Sequence, residues 1–183
     1  MTTQAHYAVF DLPERLVLDG ADLEARYHAL ARRFHPDRFM ARSQAERDDA
    51  SDQMERVNAA YRTLRDPIER LRYVLARHGV KADIRQGVPV EVAEAYFELQ
   101  ETFGDPATAT GQARSELSGS ARVLRDRIKT SVEEAASRMT ALGADWDAAP
   151  RPETLEALAL TLDRHTYLLS MLRDIDGKLS NLS

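Results

Sequence analysis

The tripeptide His35-Pro36-Asp37 is the part of this sequence whose residue types could act directly on a partner molecule. The imidazole of His35 can donate a hydrogen bond, the carboxylate of Asp37 can accept one, and Pro36 between them fixes the backbone. Because the residue before a proline is pushed out of helical geometry, we expect a helix to end here. A purely structural alternative is that Pro36 stops the helix, Asp37 caps the next element and His35 has no role.

Arginines surround this tripeptide. Arg26 and Arg33 are seven residues apart and therefore share one side of a helix, while Arg32 and Arg38 lie next to the loop. Basic stretches of this size are usually solvated faces. Beside a rigid loop, they would also steer and orient an acidic partner.

Helical periodicity on both sides of the tripeptide predicts two helices, which a polar loop would join into an antiparallel pair. Asp19 suits the N-cap of the first helix. Asp66 and Pro67 suit the start of a further short helix, Ile68 to His78, which Gly79 would close. The apolar positions of the pair are Leu23, Tyr27, Leu30, Ala31 and Phe34, then Ala50, Met54, Val57, Tyr61 and Leu64.

The remainder of the chain also has helical periodicity. Residues 80–89 lose it and contain Gly and Pro, so we interpret them as a linker. Three segments with apolar positions near a seven-residue repeat then predict an antiparallel three-helix bundle over residues 90–183, broken at 104–106 and at 143–152. The fold class is therefore all-α. The predicted seams are Val92, Tyr96, Leu99 and Phe103; Leu117, Ala121, Leu124, Ile128, Val132, Ala135, Met139 and Leu142; and Leu155, Leu158, Leu162, His165, Leu169, Leu172 and Leu179.

Composition limits the possible functions. The chain has 183 residues, 43% of them hydrophobic, which suffices for one or two domains with buried cores. No apolar run approaches the roughly 20 residues of a membrane helix, and the N-terminus lacks the pattern of a signal peptide. A net charge of -5 argues against a nucleic-acid partner. We expect a cytoplasmic protein that binds neither membranes nor nucleic acids.

The sequence offers no catalytic or metal site. It has no cysteine, and its five histidines lack metal-ligand spacing. His165, on an apolar seam, is more typical of a core histidine than of a ligand. There is no glycine-rich phosphate loop, nucleophile elbow or Ser/His/Asp grouping. We therefore expect no catalytic residue, no metal and no cofactor.

In this setting the tripeptide resembles the HPD motif of a J domain, the module that stimulates ATP hydrolysis by DnaK-type chaperones. The resemblance rests on HYAVFDLP at the start, on RYHALARRF before the loop, on HPD itself and on NAAYRTLRDPIERLRYVL after it. It implies a J domain over residues 1–79, the linker at 80–89 and a separate helical domain at 90–183.

The wider pattern is similar to the HscB family, the J-protein co-chaperones of iron–sulfur cluster assembly. It includes FDLPERLVLD, LRDPIERLRYVLARHGV and a small acidic helical domain, and covers nearly the whole chain. The resemblance implies two partners, the chaperone ATPase HscA and the cluster scaffold IscU. Many relatives have Lys where this chain has Arg38, and the absence of cysteine indicates the bacterial type. The residues that the resemblance assigns to chaperone binding are His35, Pro36, Asp37, Arg26, Arg32, Arg33 and Arg38.

Some apolar residues of the predicted bundle fall outside its seams. Phe97 does so on the first helix, and Leu160, Tyr167, Leu168 and Met171 do so on the last. Such residues can simply widen a core. An apolar patch with carboxylates around it is also typical of a partner interface. In the family, the scaffold docks on these two helices, at positions that match Val92, Ala93, Phe97, Glu98, Glu101, Asp105 and Tyr167.

Two other hypotheses remain open. The chain could be a general J protein that delivers unfolded clients, although it lacks the Gly/Phe-rich tract and cysteine zinc modules of such proteins. It could also be a helical adaptor in which HPD has no chaperone role. Stimulation of a DnaK-type ATPase would distinguish the adaptor from either kind of J protein.

Overall fold

The computed structural model describes residues 6–81, 90–103 and 111–182, and every regular element in these ranges is helical. The all-α prediction is confirmed. A 3-10 turn, Pro36–Phe39, separates the second and third helices. The helices are α1 (His6–Val9), α2 (Gly20–Arg33), α3 (Gln44–Arg65), α4 (Pro67–Arg77), α5 (Val90–Phe103), α6 (Gly111–Ala148) and α7 (Pro152–Leu182).

The helix ends of the N-terminal part are where capping chemistry predicts them. The Asp19 carboxylate accepts hydrogen bonds from the first turn of α2. Asp66 does the same for α4, with Pro67 at the first helical position. Gly79 follows α4 with a φ of 69°, the left-handed conformation in which glycine is unstrained. The two aspartates satisfy N–H groups that a helix start leaves without partners, and at the end of α4 the Gly79 N–H donates to the Ala76 carbonyl oxygen at 3.2 Å.

The described residues form two compact units. The N-terminal unit contains residues up to Val80 together with Gly143–Pro150, and the C-terminal unit contains Lys81–Leu142 and Arg151–Ser183 in so far as they are described. The sequence-based division assigned 143–150 to the second domain, whereas here they cluster with the first. Most of the linker predicted at 80–89 lies outside the described residues.

Helices α2 and α3 pair as their apolar stripes predict. The rings of Tyr27 and Tyr61 stack with centroids 4.1 Å apart, and the Tyr27 hydroxyl donates to Asn58 Oδ1 at 3.1 Å. Burial of this face gives the pair most of its stability, because isolated helices of this length are marginal in water. The buried apolar residues of the unit are Tyr7, Phe10, Leu16, Leu23, Ala50, Val57, Ala60, Leu64, Leu71, Val74, Leu75 and Trp146.

The break predicted at 143–152 is wrong for most of its length, because α6 continues to Ala148. Trp146 is 6% exposed, and its ring meets the His78 ring edge-on at 5.1 Å. A Cβ atom at Gly143 would lie 3.4 Å from Cβ of Leu16, an ordinary contact, so the packing of α6 on the Leu16 loop does not require a glycine. Burying a tryptophan outweighs the roughly 1 kcal/mol that one glycine costs a helix.

Asp147 and Arg70 secure the loop between α1 and α2. The Asp147 carboxylate accepts the backbone N–H groups of Leu16 at 2.7 Å and Val17 at 2.8 Å. Arg70 is 7% exposed and donates to the carbonyl oxygens of Leu16 and Leu64. Burial lowers the pKa of Arg70, against the opposing effect of the Tyr7 and Asp147 groups. Neither residue was singled out from the sequence, since Leu16 is 54 positions from Arg70 and 131 positions from Asp147.

The core of the C-terminal unit lies between α5, α6 and α7. The seam predicted on α6 is confirmed by burial of Leu117, Ala121, Leu124, Ile128, Ala135 and Met139. On α7 the seam is confirmed up to Leu162, and beyond it Leu172 and Leu179 pack against the core as partly buried residues, but the predicted seam is too narrow. Leu168 and Met171, predicted outside it, are 0% and 1% exposed, and Ile175 is fully buried. Because Val92 of α5 joins the same cluster, this part of α7 buries a broader face than a two-helix seam requires.

Candidate partner-binding sites

The HPD loop begins where α2 ends. The Phe34 N–H still bonds the Leu30 carbonyl at 2.9 Å, and the next residue, His35, is extended with φ -61° and ψ 133°. Pro36 then opens the 3-10 turn, which the Arg38 N–H closes on the His35 carbonyl at 3.0 Å. The predicted end of the helix before the proline is confirmed, and the loop is a defined turn.

The side chains of His35 and Asp37 are both available to a partner, with 58% and 78% of their surfaces exposed. Nδ1 of His35 accepts a hydrogen bond from the backbone N–H of Asp37 at 3.3 Å and lies 3.4 Å from Oδ2 of Asp37. With Nδ1 as an acceptor, a neutral ring carries its proton on Nε2. The loop therefore offers one N–H donor and one carboxylate acceptor, held together by their own turn.

Three of the four arginines predicted around the loop are exposed. Arg38 reaches back to the end of α2, where its Nη1 atom lies 3.5 Å from the Arg32 carbonyl oxygen. The Arg33 guanidinium lies over the Phe34 ring, 5.3 Å from its centroid. Arg32, Arg33 and Arg38 thus place three positive charges beside His35-Pro36-Asp37.

Arg26 lies in a different environment. Its Nε atom donates to the Asp22 carboxylate at 2.9 Å, and Nη1 donates to the carbonyl oxygens of Phe10 at 2.8 Å and Asp11 at 3.2 Å. These bonds hold the end of α1 against α2. Since Asp22 balances its charge, Arg26 adds less than the other three arginines to the positive field around the loop.

The scaffold-binding face predicted on α5, called the client face below, is centred on an exposed aromatic residue. Phe97 is 59% exposed, so the prediction that it lies off the core is confirmed. Its ring meets the Tyr96 ring edge-on at 6.2 Å, which restricts its orientation. Glu98 and Glu101 are exposed on the same helix, and Ala93 is half-buried. This surface combines an apolar centre with carboxylates.

The other residues predicted for this face differ in accessibility. Val92 is 5% exposed and belongs to the core cluster, so its side chain contributes to the fold rather than to an open surface. Tyr167 is half-buried and packs against the same cluster. Asp105 lies outside the described residues. The assignment of the whole set to scaffold binding stays a prediction.

A polar network that sequence reasoning missed joins α5 to α7 next to this face. The Asp174 carboxylate accepts hydrogen bonds from the Tyr96 hydroxyl at 3.1 Å and the Gln100 amide at 2.6 Å, and it pairs with Lys178 at 3.1 Å. Partial burial alone would raise the pKa of Asp174, but these hydrogen bonds outweigh it and lower that pKa. Partial burial and the adjacent carboxylate raise the pKa of Tyr96. Only the four-residue spacing of Asp174 and Lys178 was visible in the sequence.

Within residues 6–81, 90–103 and 111–182, no three His, Cys, Asp or Glu side chains are arranged to hold a metal ion. In the same ranges, no helix has the length and apolar character required to cross a membrane.

Comparison with known proteins matches the N-terminal unit to a recognised domain. The family model of the DnaJ domain matches residues 5–73, a range that includes the HPD loop and all four predicted arginines. The match therefore covers the turn that exposes His35 and Asp37.

Relatives extend the similarity over most of the chain. The co-chaperone protein HscB homolog of Burkholderia multivorans is 35% identical over 147 residues, which are 79% of this chain and 82% of the relative. The homolog of Bordetella petrii is 32% identical over 139 residues, 73% of this chain and 82% of the relative. The similarity thus continues beyond the DnaJ domain.

Solved structures share the fold. The chaperone HscB from Vibrio cholerae has a TM-score of 0.63 at 20% identity, covering 98% of this chain and all of that one. The human co-chaperone protein HscB has a TM-score of 0.65 at 24% identity, covering 97% of this chain and 83% of that one. Together with the sequence identities to the bacterial homologs, these matches show that the chain belongs to the HscB family of J-domain co-chaperones.

Proposed function

We propose that this protein binds the iron–sulfur cluster scaffold IscU, delivers it to the DnaK-type chaperone HscA and stimulates ATP hydrolysis by that chaperone. The observation that carries the proposal is the HPD loop, which holds His35 and Asp37 exposed within 3.4 Å of each other in a J domain. The protein itself would hydrolyse nothing and would act in the cytoplasm.

The chemistry of the loop supports a role in binding and triggering. His35 supplies an N–H donor and Asp37 an acceptor, and Pro36 fixes the turn so that little conformational entropy is lost on binding. Arg32, Arg33 and Arg38 would attract an acidic surface of the chaperone. This protein would bind the hydrolysis-competent conformation of the chaperone more tightly than the resting one. Such binding would raise the population of the competent conformation and therefore the ATPase rate.

The α5 surface supports a role in holding the client. An exposed aromatic side chain next to carboxylates is a suitable anchor for a protein partner, since aromatic anchors dominate the binding energy of many interfaces. Phe97 supplies the anchor, Glu98 and Glu101 supply the carboxylates, and Tyr167 presents a partly exposed ring on α7. This face is separate from the HPD loop in sequence and belongs to the other compact unit.

The proposal is tested by single-turnover ATP hydrolysis with a purified DnaK-type chaperone and the cluster scaffold from the same organism. We expect this protein to raise the rate alone, and to raise it further when the scaffold is added, with direct scaffold binding in a separate titration. Stimulation without scaffold binding, but with binding of a generic unfolded client, would favour a general J protein. No stimulation would leave the adaptor hypothesis.

A further inference from the structure

A pocket lies between α6 and α7 in the C-terminal unit, and all of its described lining residues belong to that unit. Its volume is about 470 Å³, which is within the usual range of small-molecule sites. The buried residues that hold α5 against the other two helices lie at 117–128 and 168–175, whereas the pocket is lined by residues at 134–138 and 157–164. The proposed function does not use this pocket, because no residue predicted to bind the chaperone or the scaffold lines it.

Two arginines, one from each helix, line the pocket. Arg138 of α6 is exposed, and Arg164 of α7 is half-buried. In the part of the chain that the structure describes, neither guanidinium forms an ion pair. Arg125, also on α6, differs in this respect, because its Nε atom lies 2.5 Å from the Asp176 carboxylate. The two pocket arginines therefore keep their charge available to a ligand.

The Nε–H group of Arg164 is buried and has no hydrogen-bond acceptor among the described residues. A buried donor without an acceptor costs stability, so its presence in a folded protein requires an explanation such as a bound ion. Nε and one Nη atom form an edge of the guanidinium plane that matches the two oxygens of a carboxylate. A rotation of the side chain toward the pocket would place this edge on a bound carboxylate and give Nε its acceptor.

The charge and the apolar wall of the pocket restrict the ligand further. Glu134 is the single carboxylate among the described lining residues, so the two arginines leave one net positive charge. This balance suits a ligand with one negative charge, since Glu134 repels a doubly charged phosphate more strongly. Leu160, which is 42% exposed, and Ala157 supply apolar surface on the α7 side. An aliphatic chain on the ligand would cover that surface.

From these features we propose that the pocket binds a small organic carboxylate that carries one negative charge and a short aliphatic chain. The carboxylate lies on Arg164, Arg138 adds attraction, and the chain packs against Leu160. A protein segment fits less well, because protein interfaces are built around an apolar core of several residues, and Leu160 is the one exposed large apolar side chain among the described lining residues. The site is independent of the proposed function, since it involves neither the chaperone nor the scaffold.

The first test titrates the full chain with hexanoate at constant ionic strength and follows the arginine Nε–H resonances by NMR, with the Arg164 resonance assigned from its loss in Arg164→Lys. We expect that resonance to shift and saturate in the wild type. In Arg138→Gln, the half-saturating concentration should rise about fivefold. The matched control is Arg127→Gln, at an exposed arginine of α6 that does not line the pocket, and it should leave that concentration unchanged. A shift that never saturates, or an equal rise in the control, would overturn the inference.

A second test compares ligands on the unmodified protein, so it does not depend on how the variants fold. Hexanoate should half-saturate the Arg164 shift at a concentration roughly tenfold lower than acetate, because part of its chain leaves water. Inorganic phosphate should bind no more tightly than acetate. In Leu160→Ser, the difference between hexanoate and acetate should disappear. Equal affinities of the wild type for hexanoate and acetate, or phosphate binding as tight as that of hexanoate, would overturn the inference and leave the proposed function untouched.

Discussion

The HPD loop and the α5 surface are two candidate binding sites that are built in different ways. The first consists of three consecutive residues with arginines close by in sequence. The second depends on contacts between α5 and α7, such as the hydrogen bond between Tyr96 and Asp174, which are 78 positions apart. A site made from one turn needs only local backbone rules, whereas a site made from two helices needs their mutual register.

The two sites also differ in whether a substitution changes partner affinity alone or affinity together with stability. His35 and Asp37 are mostly exposed, so substitutions there should leave the fold intact. On the α5 surface, the exposed Phe97 is the chain neighbour of Tyr96, which packs against the core. Tyr167 on α7 packs against the same core. Mutational effects on this second face therefore mix affinity with stability, and the variants must be chosen to separate them.

The largest expected effect on chaperone stimulation is at the HPD loop. His35→Gln removes the ring, and Asp37→Asn replaces the acceptor by an amide. Either change should reduce stimulation of the chaperone ATPase at least tenfold, about 1.4 kcal/mol in the activation barrier, and should change the free energy of unfolding by less than about 0.5 kcal/mol, because the side chains are exposed. Single-turnover hydrolysis and urea denaturation measure the two quantities.

The matched control for this pair is His28→Gln, at another exposed histidine of the same unit, with 57% of its side chain accessible. It should change neither stimulation nor stability. Full stimulation by both loop variants would contradict the role of the loop and leave the structural interpretation, in which Pro36 only ends a helix.

A second effect, on stability rather than on activity, is expected from the corrected register of α7. Leu168→Ala should destabilise the C-terminal unit by about 2–5 kcal/mol, the usual range for a buried leucine. Leu160→Ala, at a position that is 42% exposed, should cost less than about 0.5 kcal/mol. Denaturation followed by circular dichroism compares the two. Equal costs, or a larger cost at Leu160, would contradict the burial of Leu168 in the core and with it the corrected register of α7.

The register of α7 shows why the geometry of the HPD loop could be predicted from the sequence better than the geometry of the α5 surface. Pro36, Asp19 and Asp66 act on backbone groups within a few residues of themselves, so helix ends and the turn could be predicted from local chemistry. On α7, Leu168 and Leu169 are adjacent and both apolar, and the pattern alone does not decide which one faces the core. The contact of α5 with this part of α7 decides it, and that contact is invisible in a single-helix pattern.

The same distinction explains two of the stabilising features that sequence reasoning missed. Asp147 caps no helix of its own, and it accepts N–H groups 130 and 131 positions away. The continuation of α6 through Gly143 depends on the burial of Trp146. Glycine, aspartate and alanine in this stretch are typical of a loop, and tertiary packing overrides that local preference.

For the α5 surface, the decisive variant is Phe97→Ala. Truncating an aromatic anchor at an interface costs about 2 kcal/mol or more, so the dissociation constant of the scaffold should rise about 30-fold. Stability should change by less than about 0.5 kcal/mol, because the ring is mostly exposed. Calorimetric titration of the scaffold measures the affinity, and ATPase stimulation by the protein without the scaffold should stay at the wild-type level.

Val123→Ala is the control for this prediction, since Val123 is an equally exposed apolar residue, 63% accessible, on α6. It should leave scaffold binding unchanged. A large loss of melting temperature in Phe97→Ala with unchanged scaffold affinity would show that the ring acts in the fold, and would move the client face elsewhere on the unit.

The smallest expected effect is a change in the salt dependence of chaperone affinity, and it distinguishes Arg26 from Arg32, Arg33 and Arg38. Exposed surface charges are screened over about 10 Å at 0.1 M salt, so chaperone affinity should fall a few-fold as salt rises. Replacing Arg32, Arg33 and Arg38 with Gln should flatten this dependence. Arg26→Gln should leave most of it in place and instead cost about 0.5–1 kcal/mol of stability, because Arg26 bonds Asp22 and the end of α1. If Arg26→Gln flattens the salt dependence as strongly as the triple variant does, its guanidinium leaves those partners for the chaperone, and all four arginines then act as one basic surface.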